Sequence, residues 1–157
     1  MKTFFIIIVA SVFLFACSND GSNQIILPTE EENQGQTDDG ISILTKTPCN
    51  NGMAGIYPCN GYDLLAKISL SDLDANRAND IWGWTDTTSG KEYAIIGLGN
   101  GTAFVDVSDQ DNIVYLGKLT TATVDSGWRD IKVYQNHAFI VSEAQGHGMQ
   151  VFDLTRL

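Results

Sequence analysis

One pattern constrains this chain more than any other: a unit of four short β-strands that recurs about every 45 residues. The clearest copy runs through Ile81 to Trp84, Tyr93 to Gly97, Thr102 to Val107 and Val114 to Leu119. These segments are rich in β-branched and aromatic residues, and turn formers divide them: Thr88-Ser-Gly90, Gly99-Asn-Gly101 and Ser108-Asp-Gln-Asp-Asn112. Parts of the unit recur on both sides. Gly101-Thr-Ala-Phe-Val-Asp106-Val-Ser108 returns as Gly148-Met-Gln-Val-Phe-Asp153-Leu-Thr155, and Asp80-Ile-Trp-Gly-Trp84 as Asp130-Ile-Lys-Val-Tyr134. Glu92-Tyr-Ala-Ile-Ile-Gly97 returns as Asn136-His-Ala-Phe-Ile-Val-Ser142, and Gly61-Tyr-Asp63-Leu64, running into Leu65 to Leu70, matches the third and fourth strands with a shorter turn. The repeated Asp lies 43 residues on from Asp63 to Asp106 and 47 from Asp106 to Asp153.

Four antiparallel strands at this period describe a β-propeller blade. The expected fold class is therefore all-β, a partial β-propeller over residues 48–157. Only Leu70 to Ala78 offers a helical turn. The chain holds the last two strands of one unit, one whole unit and the first three strands of another. Propellers close with four or more blades, and a blade cannot bury both faces without neighbours. The expectation is thus an incomplete repeat domain, the front portion of a longer protein; a small complete β-sandwich is the competing architecture.

The N-terminus reads as an export signal. Lys2 supplies the positive start, Phe4 to Phe15 the apolar run, and Leu14-Phe15-Ala16-Cys17 the close. That run falls short of the roughly 20 apolar residues of a membrane span. It resembles the bacterial lipobox, which implies cleavage after residue 16, lipidation of Cys17 and display on the outer membrane or cell surface. Residues 17–47 are rich in Asp, Glu, Asn, Gln, Gly, Ser and Thr and have no basic residue before Lys46, the composition of a disordered acidic tether. At about 30 residues its root-mean-square reach is on the order of 30 Å. The formal charge is −10. Such a surface repels nucleic acid and anionic lipid, so nucleic acid is excluded as a partner.

Cys49 and Cys59 flank a Gly/Asn/Pro-rich stretch, and in an oxidising compartment a disulfide between them is expected. A metal site there would need a second cysteine pair or suitably spaced histidines.

The Cys-containing start, Asp63-Leu64-Leu65, Asp80-Ile-Trp-Gly-Trp84, Gly101-Thr-Ala-Phe-Val-Asp106-Val, Trp128-Arg-Asp-Ile-Lys-Val-Tyr134 and His147-Gly-Met-Gln-Val-Phe-Asp-Leu154 together resemble the choice-of-anchor B proteins, with LVIVD-type, kelch-like repeats. The resemblance covers about 110 residues. It implies a surface or secreted propeller-like module with a variable anchor, a repeat domain longer than this one, and no established catalytic reaction.

Several residues could carry chemistry. His137 and His147, with Glu143 between them, could ligate a metal from the ends of a hairpin. Asp106, Asp109, Asp111 and Asn112 form an oxygen-rich turn that could hold Ca2+, but the Gly and distal Glu of an EF-hand loop are absent. The recurrence of the Asp in each unit favours a turn-capping role through Asx-type hydrogen bonds. Trp82, Trp84 and Trp128 could stack on a glycan or peptide; their places near unit starts favour buried contacts between blades, with Arg129 and Asp130 as an ion pair. No Gly-x-Ser-x-Gly elbow occurs, and Gly97 to Gly101 precedes a strand instead of a helix. The expected function is a non-catalytic binding or scaffolding module for an extracellular or periplasmic protein or glycan, with no cofactor. A propeller hydrolase with its catalytic residues in further blades is the competing class.

Overall fold

The repeat becomes two meander sheets in the computed structural model, which describes residues 46–157 and, before them, the backbone of β1 (Gln34–Gln36) and β2 (Ser42–Leu44). The leader, Cys17 and the rest of the expected tether lie outside the described residues.

The whole unit is a four-stranded antiparallel sheet in sequence order. It comprises β6 (Ala78–Thr85), β7 (Glu92–Leu98), β8 (Gly101–Asp106) and β9 (Val114–Thr120). The next unit contributes β10 (Arg129–Tyr134), β11 (His137–Ser142) and β12 (Met149–Asp153), again a meander, followed by a single 3-10 turn at Leu154–Arg156. Each of the seven strands overlaps a segment that the repeat pattern marks, because alternation of apolar and polar residues and the intervening turn formers act together.

The first unit departs from expectation. Gly61 to Leu64 and Leu65 to Leu70 do not pair with each other as third and fourth strands. Instead β5 (Lys67–Ile68) pairs with β2 as Ile43↔Ile68, and an isolated bridge joins Thr47 to Leu64. From the first pairing to the second, one chain moves four residues forward and the other four back, so both belong to one antiparallel register. The turn between Asp63 and Leu65 is too short to reverse the chain. The segment that folds back on β5 comes from the stretch expected as tether, and β1 pairs with β2 on its far side. Between these arms, β3 (Met53–Ala54) and β4 (Tyr57–Pro58) form a small hairpin.

Period-two alternation gives every sheet two faces. On β6–β9, Trp84, Tyr93, Ile95 and Phe104 face the next sheet and meet Ile131, Ala138, Ile140 and Leu154 in one core cluster. Trp84 stacks on Tyr93 at 5.2 Å between ring centroids, and Phe104 of one sheet stacks on Phe152 of the other at 4.5 Å. Each large side chain buried here contributes about 1.5–3 kcal/mol. The opposite face of β6–β9 carries Leu98 and Ala103, which pack with Leu73, Ile68 and Ala75 of the chain before β6. Both faces of this sheet therefore carry packed side chains, although Ile81 of the edge strand β6 stays exposed on the second.

Side chains also join the two first strands edge to edge. Asp80 Oδ2 accepts the Ile131 amide at 2.7 Å, Asn79 Oδ1 accepts the Arg129 amide at 3.1 Å, and Asn79 Nδ2 donates to the Arg129 carbonyl at 3.1 Å. Gly97 lets the strands approach this closely: a Cβ there would lie 2.9 Å from the Arg129 carbonyl oxygen.

Among the described residues, nothing covers the outer face of sheet β10–β12 in this way. Tyr134, Val151 and Met149 are 66, 51 and 56% exposed, whereas their repeat counterparts Trp84, Phe104 and Thr102 are 8, 3 and 0% exposed. At the other end of the stack, Ile81 is exposed although its counterpart Ile131 is fully buried.

Candidate functional site

The turns at the two ends of the sheets do different work. At one end lie the β6–β7 and β8–β9 connections and the repeated Asp. Asp106 Oδ1 accepts the Ser108 amide at 3.0 Å and its hydroxyl, and Asp153 Oδ1 accepts the Thr155 amide at 3.0 Å and hydroxyl at 2.7 Å. This Asp-x-Ser/Thr arrangement turns the chain after the third strand in both units. Asp63 has Leu65 two positions on and cannot repeat it; its Oδ1 accepts the Cys49 amide at 2.9 Å instead. Lys91 Nζ sits 2.9 Å from Asp106 Oδ2. Burial alone would raise the Asp106 carboxyl, but hydrogen bonds from Ser108 and Lys91 outweigh it and hold the group below its ordinary range.

At Asp106 the turn that could hold calcium is occupied by protein donors, in the turn-capping role that the repeat favours. Asp109 Oδ1 accepts the Asp111 amide at 3.0 Å, an internal turn bond. His137 and His147 do not converge: His137 Nδ1 meets the Gln135 carbonyl at 2.8 Å, while His147 is buried elsewhere. Among the described residues, no group of three or more His, Cys, Asp or Glu stands where it could hold a metal ion.

At the opposite end, the β7–β8, β9–β10 and β11–β12 connections gather around Arg129, which is fully buried. Its Nε donates to the Leu98 carbonyl at 2.9 Å, Nη2 donates to Thr121 Oγ1 at 2.9 Å, and Nη1 lies 3.4 Å from His147 Nε2. A guanidinium only donates, so Nε2 accepts and the ring proton sits on Nδ1, which faces Thr123 Oγ1 at 3.1 Å. Burial lowers the His147 pKa, and the Arg129 charge lowers it further. Burial also lowers that of Arg129, against the opposing effect of Asp125.

The expected Arg129–Asp130 ion pair does not form: alternation along β10 turns Arg129 into the interior and leaves Asp130 exposed on the other face. The hub around Arg129 was not anticipated from sequence. Its signal was a charged residue in phase with Ile131 and Val133, at the slot that Asn79 fills one unit earlier.

Beside this hub is an open pocket of about 290 Å3 lined by Trp128, Arg129, Asp130, Val141, Ser142 and Glu143. Trp128, expected between blades, is largely exposed on the uncovered face, where no described residue packs against it from a further sheet. Trp84 does take that role, with Nε1 donating to Asn136 Oδ1 at 3.3 Å. Trp82 shares its face but is partly exposed, with Lys132 Nζ 4.2 Å from its ring centroid.

Cys49 and Cys59 form a disulfide, with Cα atoms 5.9 Å apart, that closes the loop holding the β3–β4 hairpin. The Gly/Asn/Pro-rich loop thus contains two short strands. No helix among the described residues is long and apolar enough to cross a membrane. No family model, no curated protein and no solved structure matches this chain.

Proposed function

We propose that this chain is a lipid-anchored, surface-displayed module of β-propeller type that binds or scaffolds an extracellular protein or glycan without catalysis. The carrying observation is that the outer face of β10–β12 repeats, position for position, the face of β6–β9 that a neighbouring sheet covers. That correspondence supports stacking of further units of the same plan around an axis, as in the LVIVD-type repeats of choice-of-anchor B proteins, with Cys17 as the anchor. Asp130, the counterpart of Asp80, then has a partner waiting: the first-strand amide of the next unit.

Binding suits what is present. Where no further unit lies on this face, the pocket by Trp128 offers an exposed indole beside Glu143 to a sugar or a cationic side chain; a stacked unit would fill the same place. A glycan, peptide and metal-ion screen against the purified chain tests the reading. Saturable binding that Trp128→Ala reduces is expected; turnover of an ester or glycoside would overturn it. Radiolabelled palmitate incorporated by the wild type and lost in Cys17→Ser is expected for the anchor; equal labelling of both would contradict it.

A further inference from the structure

We propose that His147 is an acid-released latch that holds the β11–β12 connection, residues 143–148, against the buried Arg129. The two side chains meet inside the molecule with Nε2 and Nη1 3.4 Å apart. Neutral His147 suits this place on both sides, accepting from Arg129 and donating to Thr123. A second proton on the ring removes the acceptor and puts two cations in contact away from water, an arrangement that buried sites do not sustain.

The charged groups around the latch do not compensate for that proton. Arg129 comes from β10 and carries the like charge. Asp125, in the β9–β10 connection, acts on Arg129 electrostatically but forms no ion pair with it, and the described ion pairs all lie elsewhere. Glu143, on the connection itself, lines the neighbouring pocket and is exposed. Thr121 and Thr123 are neutral.

Little else holds the connection. Its backbone meets the rest of the molecule through the Glu143 amide, which donates to the Trp128 carbonyl at 3.3 Å, and the Ala144 amide, which donates to Ser142 Oγ at 3.2 Å; its internal turn is the His147 amide on the Ala144 carbonyl at 3.0 Å. Gly146 and Gly148 both have positive φ, 75 and 65°, so the turn conformation suits few other residues. Release of His147 therefore frees a segment that carries Glu143 in the wall of the pocket beside Trp128. Acid would loosen that wall and weaken whatever it grips.

The sign follows from linkage. A histidine held neutral in the fold binds its proton more readily once released. The latch is therefore fully engaged above the ordinary histidine value of about 6.5 and weakens as pH falls below it. Carboxylates ordinarily titrate near 4, below the interval in which the latch weakens.

Amide hydrogen exchange on the full chain between pH 7.5 and 5, corrected for intrinsic rates, tests the latch. Protection of residues 143–148 is expected to fall by up to about tenfold per pH unit below 6.5. His147→Gln, which keeps one acceptor and one donor, should abolish that fall, and His137→Gln should preserve it. A fall of equal size in His147→Gln and the wild type would overturn the proposal. Should the variant fail to fold, the titration of both histidines by NMR in the wild type decides: a His147 midpoint below that of His137 supports the latch, and one at or above it overturns the latch.

Discussion

Sheets β6–β9 and β10–β12 are built from the same sequence plan, yet one is covered on both faces and the other on one. Trp84 and Tyr134 occupy the same slot of the same strand, two residues beyond an Ile-x pair, and one is buried while the other is not. The side chain does not decide this; the neighbour does. Burial in a repeat stack is a property of the interface between units, so matched positions differ in exposure according to whether a second sheet lies against them.

This comparison can be broken by substitution at matched positions. The largest effect is expected for Phe104→Ala, which leaves a cavity between the sheets and should cost about 3–5 kcal/mol, whereas Val151→Ala in the same slot should change stability by no more than about 0.5 kcal/mol. Urea unfolding of both variants checks it; equal losses would sink the account of the bare face. Next comes Gly97→Ala, whose new methyl meets the Arg129 carbonyl and should destabilise by about 1–3 kcal/mol, seen as a lower unfolding midpoint.

The edge contact sharpens the contrast further. Asp80→Ala leaves the Ile131 amide without its acceptor and should cost about 1–3 kcal/mol, while Asp130→Ala, whose carboxylate is exposed, should be close to neutral by the same assay. The smallest effect concerns acid. Asp106 is held below its ordinary range, so its contribution is present above the unfolded value of about 3.9 and is lost as pH falls through the folded value. Asp106→Asn should flatten the acid limb of a thermal-stability profile below about pH 4 and leave the neutral region with the same slope.

Much of this fold was legible because the repeat states the first three strands of the unit twice. Asp-x-Ser/Thr after the third strand, the alternation of Ile and Trp with polar residues, and glycines at the turns all agree. The disulfide was legible from two cysteines in a loop-forming stretch. The first unit was misread because Asp63-Leu64-Leu65 copies the repeat without its Ser/Thr, and the strand that completes it comes from a segment whose composition says nothing of pairing. The Arg129–His147 contact joins residues 18 apart through the packing of three connections, and no local spacing encodes that meeting. Trp128 is exposed for a related reason: its place in the unit points to an interface, and exposure depends on whether that interface is filled.

On the proposed reading, the outer face of β10–β12 is a contact surface for another sheet of the same plan. That reading is tested most directly by adding a duplicate of residues 109–157 in frame after Leu157 and footprinting Tyr134 and Met149 with hydroxyl radicals. The account predicts that both original side chains become protected to the level of Trp84 in the parent chain. Labelling unchanged from the parent, in an extended chain whose added strands are folded, would contradict it.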